Sequence, residues 1–338
     1  MSQAHLKVLG VGPLVTIQDG GRYGLMRYGV TRSGPMDRAA FAIANHVLGC
    51  PLGSTAIEVS LAGLKLRCVD GAVTFAVAGG GFKVALDGKP LGSWCVATLR
   101  AGSQLTIMPG ATGSWCYLAF AGRLQATAWL GSASTFSLAG LGGGNVSSGQ
   151  DLVVEGAAVH EDVHGEIAMP QATAAGPFRV VLGPQDRHFP KSAIDALCSE
   201  EFTITEAYDS MGMRLSGPAL KPASSLDMPS EPIMKGSIQV PGDGMPTVLL
   251  ADHQTTGGYP KIATVVSADL DRLVQLRTGD RIAFERISPQ AAVSAARQAR
   301  AELDQAMTGA VQRAGSLSDR LHSSNLVGGV IDAADWSV

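Results

Sequence analysis

Residues 248–262 read VLLADHQTTGGYPKI, and the break in the middle of this run decides the fold. Val248, Leu249 and Leu250 end an apolar strand, and a second strand, KIATVVS, starts at Lys261. Between them stand Asp252, His253, Gln254, Thr255 and Thr256, then Gly257, Gly258, Tyr259 and Pro260. A hairpin connection ordinarily takes about two to five residues. This one is longer and is filled with side chains that donate, accept or carry charge. Gly257 and Gly258 allow positive φ and close backbone approach, and Pro260 fixes the backbone before Lys261. The run reads as strand, ligand-facing loop, strand. A purely structural turn would instead pack Tyr259 beneath it.

The strand pattern continues on both sides. FRVVLGP, FTITEA, MRLSGPAL and SIQVP precede the run and RIAFERI follows it, with one short helical piece near Lys191–Ser199. In the first half, strand follows strand from Ile57 to about Val159, with Asp70–Gly71 and Asp87–Gly88 as hairpin dipeptides. One helix interrupts: Asp37 is a good N-cap, and FAIANHVL runs to a stop at Gly49. Ala40, Phe41, Ala44, Val47 and Leu48 recur at helical spacing, so one face is buried. Gln290–Met307 is rich in Ala, Gln, Arg and Glu and reads as a solvated helix, with the tail LHSSNLVGGVIDAADW docked on the body. Pro170–Pro177 is the linker candidate. The expected organisation is a β domain with one helix over 1–169, a β domain over 177–288, and a helix with tail over 289–338. Closely spaced strands with few helices make the fold class mainly β, in barrels or sandwiches, and exclude a doubly wound sheet.

Composition narrows the partners. The chain has 338 residues, 46% of them apolar and 16% charged, which is a globular balance. A net charge of -3 leaves no basic footprint for nucleic acid. The 42 glycines favour tight turns and short strands over long helices. The N-terminal MSQAHLKVLG shows no signal-peptide pattern, and no apolar run is long enough to cross a membrane. Five widely spaced cysteines without a CxxC read as reduced thiols, so a cytoplasmic protein is expected.

Several motifs invite chemistry. His160–His164 is a literal HExxH, but Gly156, Gly165 and Pro170 leave no room for the helix a zinc site needs, so no metal is expected. Gly79–Gly81 follows a strand but leads into KVALDGK, another strand, and so lacks the helix N-terminus that faces a pyrophosphate. TIQDGGRYG sets Asp19 and Arg22 around two glycines. Arg22 can bind a carboxylate or phosphate through two parallel hydrogen bonds, or pair within the turn. SGPMD places Gly34 and Met36 before the helix cap, and Arg214 in MGMRLSG is a further anion-binding candidate. In the long loop, His253 can shuttle a proton near neutral pH, and Lys261 can neutralise a developing oxyanion. Gln254, Thr255 and Thr256 offer orienting hydrogen bonds.

The segments TIQDGGRYG, GVTRSGPMDRAAFAIANHVLG, MGMRLSGPAL and GSIQVPGDGMPTVLLADHQTTGGYPKIATVVSADLDRLVQLRTGD resemble the KipA-like family. That family is also called allophanate hydrolase subunit 2 or the biotin-dependent carboxyltransferase family, and the resemblance runs nearly the full chain to about residue 288. It implies cyclophilin-like β-barrel domains and a KipI-like B subunit as partner. In the 5-oxoprolinase branch it further implies a third subunit and an ATP-dependent opening of 5-oxo-L-proline to L-glutamate. Another branch forms the carboxyltransferase part of urea carboxylase, using biotin on a carrier, and a third regulates a sporulation kinase inhibitor. Family members often carry Ser-Asn-Arg before the Met-Gly of one strand. Here Tyr208, Asp209 and Ser210 precede Met211–Gly212, so an arginine is absent where ligand choice is at stake.

The leading expectation is therefore a subunit of an ATP-dependent, 5-oxoprolinase-type amidohydrolase acting on a small amide and inactive without its partners. ATP is held by this chain or by a partner subunit. Lys261 and Arg22 stabilise developing negative charge, His253 manages a proton, and Asp19 orients Arg22. Gln254, Thr255, Thr256, Gly257, Gly258, Tyr259, Gly34, Met36 and Arg214 contact the substrate. The alternative enzyme is a biotin-dependent carboxyltransferase; Met234–Lys235 lacks the flanking methionine of a biotinylation site, so the biotin would sit on a separate carrier. The non-enzymatic alternative is a regulatory binding protein.

Overall fold

The computed structural model describes residues 2–169, 176–223 and 229–310. The linker candidate falls almost wholly, and the C-terminal tail LHSSNLVGGVIDAADW wholly, outside these residues. Strands of the first half form two facing antiparallel sheets. One has seven strands, in the order Arg123–Leu124, Asp151–Glu155, Gln3–Val11, Leu64–Asp70, Gln104–Met108, Lys83–Leu86, Lys89–Pro90. The other has six: Gly165–Glu166, Cys95–Arg100, Ala72–Ala78, Trp115–Phe120, Ala56–Ser60, Thr16–Gln18. The six-stranded sheet is covered on both faces, and strand alternation divides its residues between them. Along Trp115–Phe120, Cys116, Leu118 and Phe120 enter the core between the sheets, while Tyr117 and Ala119 face helix α1, Arg38–His46. Small residues under the helix (Ala76, Ala78, Ala119) let it pack close, and burying Phe41 and Ile43 stabilises this layer by about 2 kcal/mol each. Asp37 caps α1 as its residue type predicts: its Oδ1 accepts the Ala40 N–H at 2.9 Å.

The second half closes into a seven-stranded barrel: Phe178–Leu182, Lys261–Val265, Ser237–Gln239, Thr247–Leu249, Gly212–Ser216, Glu201–Tyr208, Arg281–Arg286. Phe178–Leu182 beside Arg281–Arg286 is the one parallel pair among its described neighbours, and it shuts the barrel. Helix α2 spans Lys191–Ser199, as its pattern indicates. Helix α3, Ser267–Leu273, lies outside the sequence-based expectation. It is only two turns long and lacks a side-chain cap, although Leu270, Leu273 and Val274 carry a helical period. Helix α4, Pro289–Ala310, lies against α1 and α3 and anchors Met307 and Ala310 in the cluster under α1. Among the described residues, no helix is long and apolar enough to cross a membrane.

The halves are tightly joined. Met36 and Trp115 of the first half are buried in the core of the barrel. Gln275 bridges the joint: its Oε1 accepts from Ser114 N and Trp115 N at 2.9 and 3.1 Å, and its Nε2 donates to Asp37 Oδ2 at 2.7 Å. Arg277 donates to the carbonyls of Gly110 and Gly113. The HExxH and triple-glycine motifs are structural. Glu161–Val163 is one 3-10 turn, with Glu161 paired to Arg100 and His164 Nε2 2.7 Å from Thr98 Oγ1. Gly79 at φ +110 leads to strand Lys83–Leu86, and a Cβ there would meet the Trp115 carbonyl at 2.7 Å.

Candidate functional site

Where the two sheets meet the barrel, a cleft of about 740 Å³ opens, a size that suits a small molecule. The first half reaches it through the turn at residues 32–36. Ser33 has φ +53, uncommon for a residue with a side chain, and Gly34 follows at φ +96. This kink sends Met36 into the barrel. Its N–H donates to Glu58 Oε2 at 2.8 Å, and its carbonyl accepts from Lys235 Nζ at 3.1 Å. Met36 thus pins the two halves together, its side chain fully buried among barrel residues. Gly34 shapes the turn, where a Cβ would lie 3.5 Å from the Gly20 carbonyl oxygen.

Around this pin sit charges that burial has moved. Glu58 also accepts from Tyr117 Oη at 2.7 Å, yet desolvation pushes its pKa up to about 7. Lys235 lines the cleft, and desolvation, with Arg38 nearby, brings its pKa down to about 8. Burial and the neighbouring Asp271 raise Asp37 as well. Arg38 is held by Asp271 through Nε at 3.0 Å and Nη2 at 3.2 Å.

Asp19 and Arg22 both serve the loop at residues 129–134. Arg22 is only 2% exposed; its Nε donates to the Trp129 carbonyl at 3.0 Å, its Nη2 to that of Ser134, and its guanidinium carbon lies 5.0 Å from the Trp129 ring centre. Asp19 accepts from Gly21 N, Ser132 Oγ, Ser134 Oγ and Ala133 N, at 2.6–2.9 Å. Against the desolvation that would raise it, these bonds hold its pKa below the usual range. The carboxylate is taken up by the loop's own donors and the guanidinium by its carbonyls, so Asp19 acts on Arg22 through charge and through the loop both grip, without a direct hydrogen bond among those described. Arg22 Nη1 is left buried with no partner among the described residues.

Asp252, the first polar residue of the long loop, faces the same place. It is 2% exposed, and Ser210 Oγ donates to its Oδ2 at 2.7 Å. Ser33 and the Ser137 backbone lie beside the carboxylate without bonds of ordinary geometry, and Asp252 Oδ1 has no partner of that geometry among the described residues. Burial raises its pKa against the opposing pull of Ser33, Ser210, the Ser137 backbone and, least, Arg22. Ser210 stands where the resembled family often has arginine, so a neutral donor meets this acid here. The adjacent His253 is buried and lines the cleft. Its Nδ1 lies 2.7 Å from the Gln254 carbonyl, which can only accept, so Nδ1 carries the proton and Nε2 the lone pair. Desolvation lowers its pKa and favours that neutral form.

The rest of the loop braces itself. Gln254 Nε2 donates to Gln239 Oε1 at 3.2 Å, Gln239 Nε2 to the Tyr259 carbonyl at 3.4 Å, and Ile233 N to the Thr255 carbonyl at 3.0 Å. Thr256–Gly257 pairs with Glu231–Pro232. Gly257 is needed for close approach, since a Cβ would meet Ile233 at 2.7 Å; neither it nor Gly258 takes a positive φ, which corrects that part of the sequence reading. Tyr259 is 47% exposed and not packed beneath the loop. Lys261 is 1% exposed and its Nζ has no partner among the described residues, so desolvation lowers its pKa, opposed only by Glu231. Neither Lys261 nor Arg22 lines the cleft that holds His253. Arg214 is further removed in role: it forms a half-exposed ion pair with Asp243.

Sequence reading misses Asp252, Ser33, Glu58, Lys235 and Tyr117. Asp252 was within reach, because it stands at the head of the long loop, directly after the apolar strand. Glu58 and Tyr117 sit in apolar strands, where only the tertiary fold shows that their polar ends meet at Met36.

The carboxyltransferase domain family, subdomains A and B, matches residues 28–286. The chain is 34% identical over 303 residues to the 5-oxoprolinase C subunit of Haemophilus influenzae, covering 89% of this chain and 97% of that protein. With the 5-oxoprolinase C subunit of Escherichia coli it shares 31% identity over 323 residues, covering 95% and 100%. Its fold is similar to the crystal structure of the Kluyveromyces lactis urea carboxylase, with a TM-score of 0.80 and 26% identity, over 93% of this chain and 30% of that one. This chain belongs to the carboxyltransferase domain family, subdomains A and B.

Proposed function

We propose that this chain is the C subunit of an ATP-dependent 5-oxoprolinase-type amidohydrolase, which opens 5-oxo-L-proline to L-glutamate together with a KipI-like B subunit and a third subunit. The observation that carries this reading is the end-to-end match to two 5-oxoprolinase C subunits, whereas only 30% of the urea carboxylase chain corresponds to it. The buried atoms support it. A lactam presents one N–H and one carbonyl. Asp252 Oδ1 and Arg22 Nη1 lack a hydrogen bond of ordinary geometry among the described residues and lie within each other's electrostatic reach. Neither residue is among those lining the cleft, and Ser33 and the Ser137 backbone also lie beside the carboxylate. In this reading Asp252 accepts the lactam N–H and Arg22 holds the carbonyl oxygen as negative charge grows there. His253 Nε2 takes a proton from the attacking water and returns it to the leaving nitrogen. Lys261, with a free buried ammonium, is a second candidate to balance that charge.

The glycine turn at Gly79–Gly81 does not fit a nucleotide, since a strand follows it and backbone crowds Gly79. We assign ATP to a partner subunit, and no step is drawn through it on this chain. The competing reading, a carboxyltransferase that takes carboxylate from biotin on a separate carrier, is favoured by the family match and by the urea carboxylase fold. Co-expression with the partner subunits and assay of glutamate release from 5-oxo-L-proline with ATP, beside carboxylation of urea with a biotinylated carrier, separates the two. ATP-dependent glutamate release supports the hydrolase. Carrier-dependent urea carboxylation without glutamate release removes it.

A further inference from the structure

Lys235 has more to give than the pinning of the two halves takes. Its Nζ donates to the carbonyls of Pro35 and Met36 at 3.3 and 3.1 Å. An ammonium has three N–H groups, and these acceptors are successive carbonyls of one turn, so the third N–H points away from that turn. It meets no acceptor among the described residues. Lys235 lines the cleft together with His253, and its positive charge acts on the His253 ring. His253 Nδ1 is taken by the Gln254 carbonyl, while Nε2 has no partner among the described residues. The cleft therefore carries a cationic donor and a lone pair, both uncommitted and within electrostatic reach of each other. They stand beside the position given to the lactam: His253 follows Asp252 in the chain, and Ser33, which lies against the Asp252 carboxylate, lines the same cleft. Phe41, Leu52, Ala251 and Leu270 give the cleft apolar walls, between which a charge is weakly screened.

We propose that Lys235 is a further catalytic residue, which holds the attacking water by its spare N–H while His253 Nε2 takes the water's proton. The inference rests on the lactam reading above and adds the group that binds the second reactant. One O–H bond of the water breaks and its proton goes to Nε2. The hydroxide oxygen bonds to the lactam carbonyl carbon, whose π electron pair moves onto the carbonyl oxygen. Lys235 keeps its own proton throughout. Its charge stabilises the forming hydroxide and keeps the imidazole neutral until the step. Of the other charges facing Lys235, Arg38 and Arg32 add to the positive field, and Asp271 and Glu58 offset it.

Lys235→Gln tests this by putting a neutral donor in place of the ammonium. In the assembled complex, kcat for 5-oxo-L-proline falls at least about tenfold, with KM within about twofold. The acid limb of the profile, set by His253, moves to higher pH once the neighbouring cation is gone. Lys235→Met, equally neutral, gives the same two changes, and Lys235→Arg keeps the limb at its wild-type position. Wild-type kcat in Lys235→Gln, or a loss of activity with the limb unmoved, overturns the assignment. A second measurement needs no turnover: NMR titration of the full chain with labelled histidine, in which His253→Gln identifies the His253 signal. That signal titrates at higher pH in Lys235→Gln than in the wild type, and an unchanged titration overturns the pair. Failure of the lactam reading looks different. A wild-type complex that releases no glutamate, while the His253 titration still follows Lys235, supports the pair and overturns the lactam reading alone.

Discussion

Arg22 and Lys261 are two cations from two motif loops, one in each half, and they are almost equally hidden at 2% and 1% exposure. Their surroundings could hardly differ more. Arg22 has carbonyl acceptors for Nε and Nη2 and an aromatic face, and only Nη1 is left over. Lys261 gives its ammonium to nothing among the described residues. A buried cation with partners holds structure together, and removing it strands the groups it held. A buried cation without partners weakens the fold and is retained for something that binds. The first holds a loop and keeps one bond to spare, which the proposed reading gives to the lactam oxygen; the second has its whole ammonium to spare.

The sharpest way to break this comparison is to remove each cation in turn. Arg22→Met leaves the Trp129 and Ser134 carbonyls unsatisfied and is expected to destabilise the chain by about 3–5 kcal/mol in denaturant unfolding. Lys261→Met, with similar length and no charge to desolvate, is expected to leave stability within about 1 kcal/mol or raise it. Activity of the assembled complex should still fall at least about tenfold. Equal destabilisation by the two substitutions erases the distinction, and full activity in Lys261→Met removes that residue from the site. His253→Gln comes next, with kcat/KM lower by about a hundredfold. Because burial lowers the His253 pKa, the acid limb of the wild-type profile should lie below the ordinary histidine value of 6.5 and vanish in the variant. A limb above 6.5 contradicts the neutral-base assignment.

The smallest expected effect concerns Glu58. Its folded pKa of about 7 stands above the ordinary 4.5, so the folded state favours the protonated form. That contribution is complete below 4.5 and is lost as pH rises through about 7. Glu58→Gln should flatten the dependence of stability on pH across this window, as read from melting temperature. A profile as steep as wild type would assign the dependence to another group.

The fold was largely legible because its signals are local. Asp37 as a cap, the helix across Lys191–Ser199 and the alternation of barrel strands follow from neighbouring residues. The site was less so. The motif DHQTTGGYPK marks a loop most of which braces itself through Gln239 and Ile233; His253 lines the cleft, while Asp252 is buried beside Arg22. Lys235 and Glu58 lie 177 positions apart and meet on either side of the Met36 peptide. No period or spacing reports a contact of that kind.

The central claim is that a small amide reacts against Asp252 where the two halves meet. Asp252→Asn in the co-expressed complex tests it most directly, because amide for carboxylate keeps the shape while removing an acid that burial already disfavours. ATP-dependent release of glutamate from 5-oxo-L-proline should drop at least about a hundredfold, with the partner subunits still co-purifying and the melting temperature unchanged or higher. Turnover at the wild-type rate in that variant would contradict the account.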